Sequence, residues 1–292
     1  MTAPSSPVVA SWELALRLKR QRERLGIEVK TITETLGFSR NYWSAVENER
    51  KALSSEALTR VIDLFEFDEE EKAELLALRT AAKERGWWTN YSALFDADVQ
   101  RLFGLEQGAR AMRDYESLLV PGLLQTADYI RAIMMPAVTL PQVEVDQRVE
   151  ARLRRQKRLA DPNDPLTLTA VISEAALRQQ IGGPVVLRHQ LEHLADLIER
   201  HPTKIDVRVI PFTATACGLF GAATVHLLEF GNPRLPTLAW QETVTSWGVI
   251  HDPLQVRNIT TTYEEAYRRA LPRDQTLHMI REHIEEVRGN TS

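Results

Sequence analysis

Two glycines eleven residues apart, Gly26 and Gly37, punctuate a stretch in which apolar residues recur every three or four positions, so the start of this chain can build only short helices. Helices of two or three turns are marginal alone and must pack on one another. From Trp12 the apolar pattern runs through Leu14, Leu18 and Leu25 with Arg22 on the same face, and Gly26 supplies the left-handed residue that ends the helix. Ile27 to Leu36 forms a second helix with Val29, Ile32, Thr33 and Leu36 on one face. Gly37 breaks it. Ser39 caps a third helix, Arg40 to Asn48, which buries Trp43 and Val46. Ser54 or Ser55 caps a fourth, 56–66, and a fifth spans about 69–85 with acids at its start and Lys83 and Arg85 near its end. Residues 1–10, rich in Pro and Ser, read as a flexible tail. A helix, a short turn containing Gly, and a second helix opened by a capping Ser form the pattern that offers the later helix to the DNA major groove.

Charge is divided along the chain. The whole carries −4, yet residues 11–60 hold ten Lys/Arg against seven Glu, an excess of +3 that leaves −7 for the remainder. A modestly basic reader on an acidic body is the expected arrangement. At the front of the third helix, Arg40 can donate two bonds to guanine and Asn41 can pair with adenine. Ser39 and the amides beside it suit a phosphate, as do Arg50 and Lys51 just beyond the helix.

The stretch RLKRQRERLGIEVKTITETLGFSRNYWSAVENERKALSSEALTRVIDLF resembles the helix-turn-helix domain of phage repressors and of bacterial regulators of the xenobiotic-response-element type. That resemblance implies a positioning helix at Ile27–Leu36 and a recognition helix at Arg40–Asn48, with Ser39, Arg40, Asn41, Ser44 and Ala45 facing the groove. It also implies a partly buried ion pair between Arg22 and Glu47, a structural link excluded from the base-reading set. Four positions depart from the family pattern. Val29 replaces a phosphate-binding Gln, Thr33 a small Ala, Glu49 a Gly and Leu53 a Pro. If the left-handed turn stays at position 49, a Glu there costs roughly 1 kcal/mol more than Gly.

Residues 87–292 read as a larger α+β domain with a small, mainly antiparallel sheet, preceded by the helix-turn-helix domain at 11–86. Trp87, Trp88, Tyr91 and Phe95 read as packing between two domains rather than as base-stacking groups. Residues 112–119 form a strand or a loop. Period-two apolar residues mark strands at 166–174, 205–212, 223–230 and 237–246, and helical patterns cover 174–181, 185–200, about 253–271 and 274–288. Between them, a helix with Val145, Val149, Leu153 and the stem of Gln156 on one face carries Arg148, Arg152, Arg154, Arg155, Lys157 and Arg158 on the others. Such a basic helix reads as solvated or partner-binding, with DNA-backbone contact as the lesser reading. The ordered segments LVPGLLQTADYIRA, ARLRRQKRL, VISEAALR, QLEHL, VRVIPF, TVHLLEF and WQETVT resemble the long C-terminal domain of actinobacterial, antitoxin-like regulators. That likeness implies a DNA-binding homodimer governed by a small protein partner.

Little points to catalysis. A single cysteine, Cys217, excludes an intrachain disulfide framework, and the motifs of zinc proteases, α/β-hydrolases and P-loop enzymes are lacking. His189 and His193 share a helix face but a zinc site needs more ligands. Cys217, His226 and Glu242 have the chemistry of a nucleophile, base and orienter without any surrounding motif, and Phe220, Trp240, Trp247 and Glu242 read as core before they read as a ligand pocket. No apolar run reaches the roughly 18 residues that cross a bilayer, and the opening residues lack the basic region of a secretory signal. The expectation is a cytoplasmic, non-enzymatic, dimeric transcription regulator without metal or cofactor, which binds double-stranded DNA. The alternative is an antitoxin-like protein that acts mainly through its protein partner.

Overall fold

Five α-helices build the N-terminal unit, Met1–Thr89, in the computed structural model, which describes residues 6–134, 141–243 and 245–289. They are α1 (Pro7–Arg24), α2 (Val29–Leu36), α3 (Arg40–Glu47), α4 (Ser55–Leu64) and α5 (Glu69–Ala81). The flexible tail expected over 1–10 needs correction from Ser6 onward; residues 1–5 lie outside the described residues. The Ser6 hydroxyl accepts from the Val9 amide and Pro7 occupies the first helical turn, so α1 starts five residues earlier than Trp12. Pro is suited to that turn because its missing N–H has no helical partner there. Ala10, Leu14, Leu18, Ile32, Leu36, Trp43, Val46, Leu58, Ile62, Phe65 and Leu75 form one core, with Trp43 fully buried and edge-on to Phe65 at 5.8 Å.

Three of these helices end alike. After α1 the Gly26 amide bonds Glu23 O and the Ile27 amide bonds Arg22 O; after α3 the same pair of bonds runs from Glu49 to Val46 and from Arg50 to Ala45. After α4 it runs from Glu66 to Asp63 and from Phe67 to Ile62. Each needs one left-handed residue, supplied by Gly26 (φ 64°), Glu49 (φ 60°) and Glu66 (φ 55°). The left-handed turn therefore stays at Glu49, and Asn48 (φ −101°) does not take it over. A side chain in this region costs about 1–2 kcal/mol, while glycine adds about 0.4–1 kcal/mol of unfolded-chain entropy. Glu66→Gly is expected to stabilise the unit by about 0.5–1 kcal/mol in chemical denaturation, because the exposed Glu66 loses little packing. A loss of stability would show that the turn tolerates its Glu without strain.

The second unit, Asn90–Ser292, is the α+β domain expected, with a six-stranded mixed sheet. Its order along the chain is α6 (Ala97–Gly108), β1 (Ala111–Glu116), α7 (Ala127–Met134), α8 (Gln142–Gln156), β2 (Thr167–Ser173), α9 (Ala175–Arg178) and α10 (Gly183–Arg200). Then follow β3 (Ile205–Ile210), β4 (Thr224–Glu229), β5 (Leu238–Glu242), β6 (Trp247–Ile250), α11 (Pro253–Arg269) and α12 (Arg273–Gly289). The strands lie in the order β3-β2-β1-β4-β5-β6. β1, β2 and β3 are parallel because helices carry the chain between them; the β1–β4, β4–β5 and β5–β6 pairs are antiparallel. Three of the five pairings are antiparallel, in keeping with the mainly antiparallel sheet expected, and the helical crossovers add the two parallel ones. The strand expected over 237–246 ends at Glu242, where the Thr243 amide donates to Ser246 O at 2.8 Å and the Ser246 amide to the Thr243 hydroxyl at 3.1 Å, and a further strand, β6, follows.

The two faces of the sheet differ. Tyr115, Val171, Val225, Leu227 and Ala239 pack with Val256, Tyr263 and Ala266 of α11. The alternate residues of β1, β4 and β5 stand in cross-strand rows on the opposite face: Met112, Leu228 and Leu238; then Asp114, His226 and Trp240; then Glu116, Thr224 and Glu242. That face turns from apolar to charged along its length. Tyr91 and Phe95 belong to this unit, where Phe95 meets Phe103 edge-on at 5.1 Å and lies under Arg148 at 5.0 Å. Trp87 and Trp88 pack on each other at 5.9 Å.

Candidate nucleic-acid interface

The turn between α2 and α3 follows from three residues. Gly37 (φ 73°) closes α2 by donating to Thr33 O at 3.1 Å, Phe38 stacks on Trp43 at 6.4 Å, and Ser39 opens α3 by accepting the Tyr42 amide at 3.1 Å. Buried Trp43 and Val46 fix the inward face of α3, so its other face is settled by the helical period. Ser39, Arg40, Asn41 and Ser44 are exposed on it, and Ala45 is half-buried. Arg50 and Lys51 are exposed just past the helix, where Lys51 lies over the Tyr42 ring at 5.3 Å. Ser39 spends its hydroxyl on the cap, which leaves the first-turn amides Arg40 and Asn41 to meet an anion. Ser44 is engaged by Asn48, whose Nδ2 donates to its carbonyl at 2.7 Å.

Arg22 and Glu47 lie behind this face. Arg22 Nε donates to Glu47 Oε1 at 2.5 Å and its Nη1 to Ile27 O at 3.2 Å, tying α1, the turn before α2 and the end of α3 together. Both side chains are largely buried, at 16% and 12% exposure. The geometry makes them supports of α3 rather than surface groups. Departures from the expected pattern are accommodated locally: Thr33 donates its hydroxyl to Lys30 O at 2.7 Å, and Leu53 is buried in the core where a Pro was expected.

In the second unit the basic helix does not behave as expected. Its inward seam runs from buried Val145 and Val149 to half-buried Arg152 and Gln156, while Leu153 is 37% exposed. Arg155 forks onto Glu106 of α6 with contacts of 2.7, 3.0 and 3.3 Å, and Arg158 donates to Ala109 O at 2.9 Å and to Asp164 O. Arg152 donates to Gln125 Oε1 at 3.0 Å, and Gln156 to Gln125 O at 2.7 Å. The reading as a solvated or partner-binding face is corrected for Arg152, Arg155 and Arg158, because carboxylates and carbonyls within the domain hold them. Arg154 and Lys157 remain exposed.

The Cys217, His226, Glu242 grouping is separated by the sheet. Cys217 packs in the cluster with Tyr115 and Val225, whereas His226 and Glu242 stand on the opposite face. Those two instead share a cavity of about 80 Å³ with Asp114, Glu116, Thr224, Gln125, Arg152 and Arg155. Trp240, Trp247 and Phe220 do not line it. Sequence reading missed Asp114 and Glu116, although their i, i+2 spacing in the AMRDYE strand already put both on one face. Among the described residues, no group of three or more His, Cys, Asp or Glu is arranged to hold a metal ion, and no helix is long and apolar enough to cross a membrane.

A short capped recognition-type helix in front of an α+β unit defines a helix-turn-helix protein with an appended second domain. Residues 13–75 match the family described as Helix-turn-helix domain. Residues 99–282 match the family described as Domain of unknown function (DUF5753), and the chain belongs to that family. Searches of curated proteins and of solved structures find no match.

Proposed function

We propose that this protein is a sequence-specific DNA-binding transcription regulator whose α3 enters the major groove and whose second unit controls it. The observation that carries this reading is the exposed edge of α3, where Arg40 and Asn41 stand exposed at the helix start while Trp43 and Val46 anchor the helix from behind. Arg40 and Asn41 read bases; Arg50, Lys51 and the first amides of α3 hold phosphates. One eight-residue helix supplies few base contacts, so the functional form is a homodimer with two such helices about 34 Å apart reading a palindrome. Control comes through the second unit, by a small protein partner or by a ligand, and the protein acts without catalysing a reaction.

Selection of genomic fragments on the purified protein, followed by footprinting, tests the reading. A protected site of two inverted half-sites about 10 base pairs apart is expected, with affinity falling steeply between about 50 and 200 mM salt. Equal recovery of all fragments at every salt concentration would remove the sequence-reading role.

A further inference from the structure

The cavity on the charged face of the sheet lies at the carboxyl end of β1, where the strand order reverses between β2 and β4. Crevices at such reversals are where open sheets with helical crossovers hold ligands. The opposing walls carry opposite charge. On the sheet side stand Asp114, Glu116 and Glu242; on the α8 side stands Arg152, with Arg155 behind it already neutralised by Glu106.

The polar groups are incompletely matched. Asp114 is fully buried, His226 Nδ1 engages its Oδ1 at 2.8 Å, and its Oδ2 has no hydrogen-bond partner among the described residues. Glu116 accepts from the Thr224 hydroxyl at 2.8 Å but makes no ion pair among the described residues, and burial together with the Asp114 charge pushes its carboxyl well above the ordinary range. Burial, then the neighbouring Arg155, pulls the Arg152 guanidinium down to about 10, and it bonds neutral Gln125 with no carboxylate partner among the described residues. A half-buried cation that faces two buried carboxyl groups without touching them is costly unless something lies between them.

We propose that the second unit binds a small zwitterion of the α-amino acid type, its carboxylate on Arg152 and its ammonium on Asp114, Glu116 and Glu242. The volume limits the size: about 80 Å³, less than three molecules of liquid water at roughly 30 Å³ each, restricts the ligand to the smallest members of the class. Glycine, alanine and serine are the smallest of that class. Glu242 is exposed and stands at the mouth, so the ligand enters past it. The inference holds whether or not the chain reads DNA.

The test uses the full chain and three amino acids, glycine, L-alanine and L-serine, with acetate and methylammonium as half-ligands. Thermal unfolding is expected to shift upward by about 5 °C at saturating concentration of at least one amino acid. Calorimetric titration is expected to show one site per chain. Glu242→Gln, at the exposed rim, should weaken that binding at least tenfold while the unliganded protein unfolds as before. Arg152→Gln should abolish it. If Arg152→Gln fails to fold, Glu242→Gln alone decides. No shift with any of the three amino acids overturns the proposal, as does a shift of equal size with acetate alone or methylammonium alone, or unchanged affinity in Glu242→Gln.

Discussion

Arg40→Ala combined with Asn41→Ala is expected to lower affinity for the cognate site by at least about 30-fold per half-site while leaving the protein folded. Each bidentate base contact is worth about 1–3 kcal/mol of discrimination, and two lost together give at least about 2 kcal/mol. The fold should not notice. Both side chains are exposed, neither is engaged within the chain among the described residues, the Ser39 cap is untouched, and alanine is a good helix former. Binding to unrelated DNA should fall much less, because the phosphate-binding set remains. Arg50→Ala with Lys51→Ala is the counterpart: it should weaken all sequences alike and reduce the salt dependence by about two charges. Gel-shift titration of both variants against cognate and scrambled DNA, with circular dichroism as the folding check, separates the two roles. Wild-type discrimination in the Arg40, Asn41 variant would remove α3 from base reading.

The largest effect on stability is expected at Glu106. It is 1% exposed, and its only partner among the described residues is Arg155, itself held in the interior beneath the cavity. Burial opposes the Arg155 charge, and the Glu106 carboxylate with its hydrogen bonds more than offsets this, so the guanidinium stays protonated with its pKa raised. Glu106→Ala strands that cation and should cost about 3–5 kcal/mol. Replacing both partners, Glu106→Leu with Arg155→Met, should cost far less than the single change, since neither charge is then left alone. Urea denaturation of the single and double variants checks this. A single variant within about 1 kcal/mol of the parent would mean that water or the nearby Asp114 and Glu242 take over the pairing.

Much of the N-terminal unit was legible because its signals are local. Gly37, Ser39 and the spacing of Trp43 and Val46 specify the turn, the cap and the buried face within ten residues. The same kind of signal was present at Ser6 and Pro7, a cap and a first-turn proline, but the surrounding Pro and Ser content masked it. In the second unit β2 to β5 were visible as alternating patterns, whereas β1 read as a strand or a loop and β6 was not seen. Their parallel pairing was less so, because it depends on which way each connecting helix returns the chain.

The sequence by itself determined the short helices, the helix-turn-helix spacing and the outward face that holds Arg40 and Asn41. Each of these follows from backbone conformation and period over a few residues. Only the tertiary structure decided that Arg152 takes the next place on the inward side of α8, half-buried, while Leu153 faces out, and that Asp114 meets His226 across 112 positions of chain. The reason is physical: an apolar side chain is buried by its own chemistry, but a charged one is buried only if a distant segment brings it a partner.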